Sequence, residues 1–223
     1  CWTVTAMSFQ FASRRIGSVA VNVIRLFLAL LFYMVYTRVT LGHWLPFDAS
    51  GKAWLYLSIS GLIGFVLGDY FLFKSYEYIS SKISMLMMTL APPVAAVLGW
   101  FMMSEPFSWL NIMGMSLVLG GVALVVLKKE KANGVKQMRY SVKGVLYALG
   151  GAVGQGVGAV LSKIGMGDYD PFAASQIRVI TGLVGFIVMI SLMRKWGSVL
   201  QGTKDRKSFT ALSLGSFFGP FLG

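Results

Sequence analysis

Polar residues are what this sequence has least of. Charged residues make up 13% of its 223 positions, against about 25% in an average soluble domain. A single cysteine, Cys1, cannot form an internal disulfide, which excludes a disulfide-stapled scaffold. A single histidine, His43, lies in a connector, so neither a histidine-built metal centre nor a Ser–His pair for acyl transfer can be assembled. No P-loop occurs, which argues against direct ATP coupling. The opening residues show no charged leader followed by an apolar core and a small-residue cleavage site, so no signal peptide is read there. The chain starts at Cys1 and stops at Gly223 inside apolar stretches. The expectation is a piece of a longer protein cut through a helix at each end, in preference to a lipidated N-terminal Cys1.

What is present is apolar. Hydrophobic residues reach 56% and mean hydropathy is +0.71, which excludes a soluble enzyme or a disordered tail. The formal charge of +12 does not point to nucleic acid, because the basic residues sit in short connectors rather than on one folded face. A spanning helix needs about 20 mainly apolar residues. Segments of that kind are read at residues 18–37, 53–73, 83–104, 107–127, 144–162 and 171–193, with partial ones at 1–13 and 208–223. Runs this long are helices, because barrel strands alternate and span only about 9–11 residues. The fold class expected is an all-α polytopic membrane protein of about eight transmembrane helices.

An internal repeat supports a division of the chain. Asn22-Val23-Ile24-Arg25 is echoed by Ser175-Gln176-Ile177-Arg178, and Gly64-Phe65-Val66-Leu67-Gly68 by Gly219-Pro220-Phe221-Leu222-Gly223. Five segments precede the basic linker 128–143. An odd number per half turns the second half upside down, the inverted-repeat plan of many transporters. The expected units are 1–127, the linker 128–143, and 144–223. Of the 20 Lys and Arg, fifteen fall in the connectors after segments one, three, five and seven. Three fall in the other connectors. That imbalance places the first set in the cytoplasm.

Gly68-Asp69-Tyr70, Lys74-Ser75-Tyr76, Ile79-Ser80-Ser81-Lys82-Ile83-Ser84 and Leu90-Ala91-Pro92-Pro93-Val94 follow in order, ending at Trp100 to Glu105. This ordered set resembles helices three and four of the EamA-like branch of the drug/metabolite transporter superfamily, and Gly114 with Gly120-Gly121 is similar to its glycine-bearing fifth helix. The resemblance implies ten helices in two inverted five-helix repeats. Helices one to four of each repeat would surround a cavity, and the cargo would be small metabolites, amino acids or drugs, moved without an ATP-binding domain.

The remaining two basic residues, Arg25 and Arg178, lie inside apolar segments, each about 10 Å in. A mid-membrane Arg costs ~2.5–3.5 kcal/mol on insertion scales and therefore faces a polar interior or a partner. Both are candidate substrate-binding residues, against snorkelling or a structural pair. Gln155, among Gly150, Gly151, Gly154, Gly156 and Gly158, is another, and the repeat register pairs it with Trp2. Glycines 150, 154 and 158 share a face suited to close helix packing. Asp69 is read either as a gating or coupling carboxylate or as a solvated cap near Lys74. Pro92 and Pro93 should kink the fourth segment and serve gating or shape. Glu105 is read as an N-terminal helix charge. Trp44, Trp54, Trp109 and Trp196 read as interfacial belt residues, and Lys163 as a snorkelling one.

The function expected is secondary transport, with export of small organic metabolites by alternating access in a bacterial inner membrane. No enzymatic activity, cofactor, metal or nucleic-acid partner is expected. The partners are a small-molecule substrate and the lipid bilayer, and the assembly is a monomer or homodimer. The alternative is an intramembrane aspartyl protease, because Gly165-Met166-Gly167-Asp168 spells a GxGD pattern and Asp69 is a candidate second carboxylate. Tyr169-Asp170, which imitates the other half of that motif, lies in the same loop rather than on a facing helix, and Asp168 is expected instead to cap the seventh segment.

Overall fold

Short polar and glycine-bearing stretches set where each helix begins and ends. Gly17, at φ +85°, turns the chain between the first two helices, a conformation that suits a residue without Cβ. Ser50 caps the third by accepting from the Ala53 amide at 3.2 Å, and Asp170 caps the seventh through the amides of Phe172 and Ala173. Pro171 occupies the first helical position after Asp170, where its missing N–H costs nothing.

The computed structural model describes residues 2–104, 106, 108–127, 129–132, 135–138, 140–217 and 219, with side chains at 5–104, 106, 108–127, 140–217 and 219. Among the described residues there are nine helices: α1 (Trp2–Ile16), α2 (Ser18–Thr40), α3 (Gly51–Ser75), α4 (Ser81–Met103), α5 (Trp109–Val126), α6 (Val142–Met166), α7 (Pro171–Leu192), α8 (Trp196–Lys204) and α9 (Arg206–Ser216). The basic linker holds an antiparallel hairpin, β1 (Lys129–Ala132) and β2 (Val135–Met138), with Lys129 opposite Met138. The chain is an all-α polytopic membrane protein, and α2 to α7 are long and apolar enough to span. The 15-residue α1 and 11-residue α9 are shorter. Helix α8 falls where a plain connector was expected.

Two helices depart from regular winding. Helix α3 is α-helical over Gly51–Gly61, π-wound over Leu62–Asp69, and α-helical again over Tyr70–Ser75. Helix α4 breaks at Thr89 and Leu90, directly before Pro92 and Pro93, so the expected kink takes the form of two helical pieces, Ser81–Met88 and Ala91–Met103.

The centre of the bundle is the pair α3 and α6. A methyl group on Gly154 would fall 2.8 Å from the Cα of Gly68, and one on Gly158 2.9 Å from the Cα of Gly64. The two backbones therefore touch, as small residues in membrane helices allow. Ser60 Oγ donates to the Gly158 carbonyl at 2.6 Å and ties the same seam. On one side α2 and α7 share an apolar core with α3 through Leu26, Tyr33, Val66, Val179 and Phe186. On the other, α4, α5 and α6 meet around Met87, Leu90, Val122 and Ala148. Helices α1 and α9 close the bundle through Phe9, Ile16, Phe73 and Leu212.

Candidate functional site

Four helices each bring one polar side chain to the same interior space. Arg25 comes from α2, Asp69 from the π-wound end of α3, Gln155 from α6 and Arg178 from α7. Asp69 is 3% exposed and Arg25 6%, so both are withdrawn from water and lipid headgroups alike. Arg25 Nη2 donates to Asp69 Oδ2. Gln155 Nε2 donates to Asp69 Oδ1 at 2.7 Å and to the Gly64 carbonyl at 3.3 Å. Both carboxylate oxygens are thereby occupied. A buried ion pair is tolerated when further hydrogen bonds satisfy the remaining polar atoms; Gln155 does so for the carboxylate, while Arg25 Nε is buried without a partner.

Arg178 is held differently. Its guanidinium carbon lies 4.9 Å from the centre of the Phe65 ring. Its Nε, like that of Arg25, is buried with no hydrogen-bond partner, but no carboxylate ion-pairs with Arg178 among the described residues. Phe65 also lies 6.0 Å from the Arg25 guanidinium carbon, so one phenyl ring sits against both cations. Rings of Phe9 and Phe73 flank Arg25 at 5.4 and 5.1 Å. Tyr33 hydrogen-bonds Ser175, one turn before Arg178.

These groups line a cavity of about 800 Å³ whose other walls are mainly aromatic and apolar, the composition of a small-molecule site. Pro92 also lines it. A second groove of about 650 Å³ between α4 and α5 is lined by Pro93, and Met85, Met88 and Pro92 border both spaces.

The structure therefore gathers Arg25, Arg178, Gln155 and Asp69 at one site, with Pro92 in its wall and Pro93 outside it. The Trp2 side chain, Glu105 and most of residues 219–223 lie outside the described residues. Three expectations are corrected. Asp69 is not a solvated cap paired with Lys74; π-winding and burial turn it toward Arg25, and Lys74 instead pairs with Glu77 at 2.6 Å. Asp168 does not cap α7, because Asp170 makes both capping hydrogen bonds. Asp168 and Asp69 do not form a catalytic dyad either. Asp168 is exposed beyond the end of α6, whereas Asp69 contacts Gln155, eleven residues before Met166, or about 16 Å away along that helix.

Tyr33, Phe65 and Ser175 were missed by sequence reasoning. Each was detectable by helical spacing from a residue already singled out. Tyr33 stands eight residues after Arg25, Ser175 three before Arg178, and Phe65 four before Asp69.

The sequence profile of the EamA-like transporter family matches residues 1–127, more than half of the chain. No curated protein matches it.

Proposed function

The chain belongs to the EamA-like transporter family, a membrane transporter family of the drug/metabolite superfamily, and from that premise we propose that it exports small organic metabolites, such as amino acids or drugs, by alternating access. The observation that carries this reading is the 800 Å³ interior cavity into which four different helices direct polar side chains. Isolated polar groups in a membrane bundle mark pathways, and four converging on one space are difficult to attribute to packing alone.

In this reading Arg25, Arg178 and Gln155 form the substrate site, and Asp69 couples or gates through its exchange with Arg25. Residues 1–127 and 144–223 act as two inverted repeats joined by the linker 128–143, rocking about the cavity. The break at Pro92 and Pro93 gives α4 a place to bend. The fifteen-to-three distribution of basic connector residues supports a cytoplasmic location for the linker and a bacterial inner membrane as the setting. The unit is a monomer or homodimer. Transport rather than catalysis is proposed, and the separation of Asp168 from Asp69 removes the geometric basis for a protease.

Uptake and counterflow in proteoliposomes, with a panel of labelled amino acids and related metabolites, tests the proposal. Saturable flux that disappears in well-folded Arg25→Ala and Arg178→Ala variants is the expected result. Absence of saturable flux for every solute, with and without a proton gradient, would sink it.

A further inference from the structure

Resting on the transport reading above, we infer that the solute this cavity accepts is an organic monoanion with an apolar, ring-bearing body, and that Arg178 is the residue that binds its carboxylate. Charge sets the first requirement. Among the described residues lining the cavity, the formal charges are Arg25, Arg178 and Asp69, which leaves the empty site with one net positive charge in a low-dielectric interior. An unneutralised cation there is costly. The cost is removed when a ligand brings one negative charge, and it persists when the ligand is a zwitterion or a cation.

Geometry decides which arginine is available. Arg25 already faces a carboxylate, whose Oδ2 accepts from Arg25 and whose Oδ1 accepts from Gln155. A substrate ammonium group would have to share that carboxylate with Arg25 and Gln155, so its charge would be only partly matched. Arg178 has no carboxylate paired with it among the described residues, and its guanidinium carbon lies 4.9 Å from the centre of the Phe65 ring; its Nε, like that of Arg25, is buried without a hydrogen-bond partner. A guanidinium presents paired N–H donors matched to a carboxylate. Arg25 and Gln155 line the same space with Asp69 held between them, which leaves Arg178 to take the carboxylate. The rest of the space is bounded by Phe9, Phe65, Phe73, Tyr76 and Phe172, surfaces that suit an aromatic or similarly flat apolar body.

Three probes that share a phenyl body and differ in charge separate the possibilities: 3-phenylpropionate, phenylalanine and phenethylammonium. Binding to the purified full-length protein is read by thermal shift and tryptophan fluorescence, alongside flux in proteoliposomes. The expected result is saturable binding of 3-phenylpropionate at least tenfold tighter than of either other probe. That binding should weaken at least tenfold in Arg178→Gln and recover in part in Arg178→Lys, which keeps the charge and guards against a folding defect. Equal or tighter binding of phenylalanine or phenethylammonium, unchanged affinity in Arg178→Gln, or no binding of any probe would overturn the inference. Saturable flux of a zwitterion without anion binding would overturn it and leave transport standing. Anion binding without flux of any solute would do the reverse.

Discussion

Helices α5 and α6 look alike as sequence: both are apolar, glycine-bearing and long enough to span. In the folded chain they have little in common. Each of the seven glycines in α6 is so close to a neighbour that an added methyl group would come within 3.1 Å of another atom. Around Gly114, Gly120 and Gly121 of α5 nothing lies within 4 Å. Helix α5 touches the bundle mainly through Val122 and Val126, whereas α6 meets α3 on one face and α4 on another. Glycine content therefore does not identify a packed helix. What distinguishes α6 is small residues on two faces at once, Gly151, Gly154 and Gly158 toward α3 and Gly156 toward Ala91 and Val94 of α4, together with a polar residue, Gln155, between them.

The largest effect expected from breaking this contrast comes from the carboxylate that Gln155 braces. Asp69→Ala leaves Arg25 buried without a counter-charge and should lower stability by about 3–5 kcal/mol, read by thermal unfolding in detergent. The double variant Asp69→Leu with Arg25→Met should regain most of that loss, because an apolar pair replaces the buried ion pair. A single variant that melts with the wild type would show that the pair carries no structural weight.

The glycines give the next test. Gly154→Ala and Gly158→Ala force backbone against methyl and should each cost about 1–3 kcal/mol, as overpacking does. Gly114→Ala and Gly121→Ala on α5 should stay within about 0.5 kcal/mol of wild type or gain slightly, because alanine is the better helix former. Equal costs on the two helices would erase the distinction between them.

The smallest effect lies outside both helices, where α1 and α9 are tied. The Ser208 hydroxyl donates to Asp205 at 2.7 Å, and with Arg15 Nε 3.0 Å away it holds the Asp205 carboxyl below its ordinary value. A depressed carboxyl stabilises the folded state above its unfolded pKa, and that contribution is lost as pH falls through the folded value. Acidification below the ordinary carboxylate range should therefore slightly loosen α9, seen as faster amide exchange there. The Asp205→Asn variant should show no such acid-dependent change. An acid response that persists in this variant would place its origin elsewhere.

The spans were legible because length and hydropathy decide them: α2 to α7 fall where apolar runs predicted, with α2, α3 and α6 running a few residues longer and α5 and α7 slightly shorter. Arg25, Arg178 and Gln155 were legible as candidate site residues because a charge or amide inside a span needs a reason. The position of Asp69 was not. On a regular helix its neighbours suggest an interface, and only the π-wound stretch, which no composition announces, turns it inward. The hairpin in the basic linker and helix α8 were also missed. Both lie in polar stretches where hydropathy has nothing to report. Nor did matching placement in two segments reveal that one arginine is neutralised and the other is not. That difference depends on which helix crosses nearby.

The glycine seam between α3 and α6 also has a mechanical meaning. Where two backbones touch, there are no side chains to change rotamer and no slack to take up, so neither helix can advance on the other without opening a void. The pair behaves as an axle. Asp69 and Gln155 are mounted on it, so the seam sets the spacing between them. Helix α2 is packed against that axle by larger side chains, whereas α7 meets α3 backbone to backbone, since a methyl group on Gly61 would fall 2.5 Å from the Arg178 carbonyl oxygen. The two arginines are thus tied to that axle by unlike means, Arg178 through the backbone contact at Gly61 and Arg25 through its bond to Asp69.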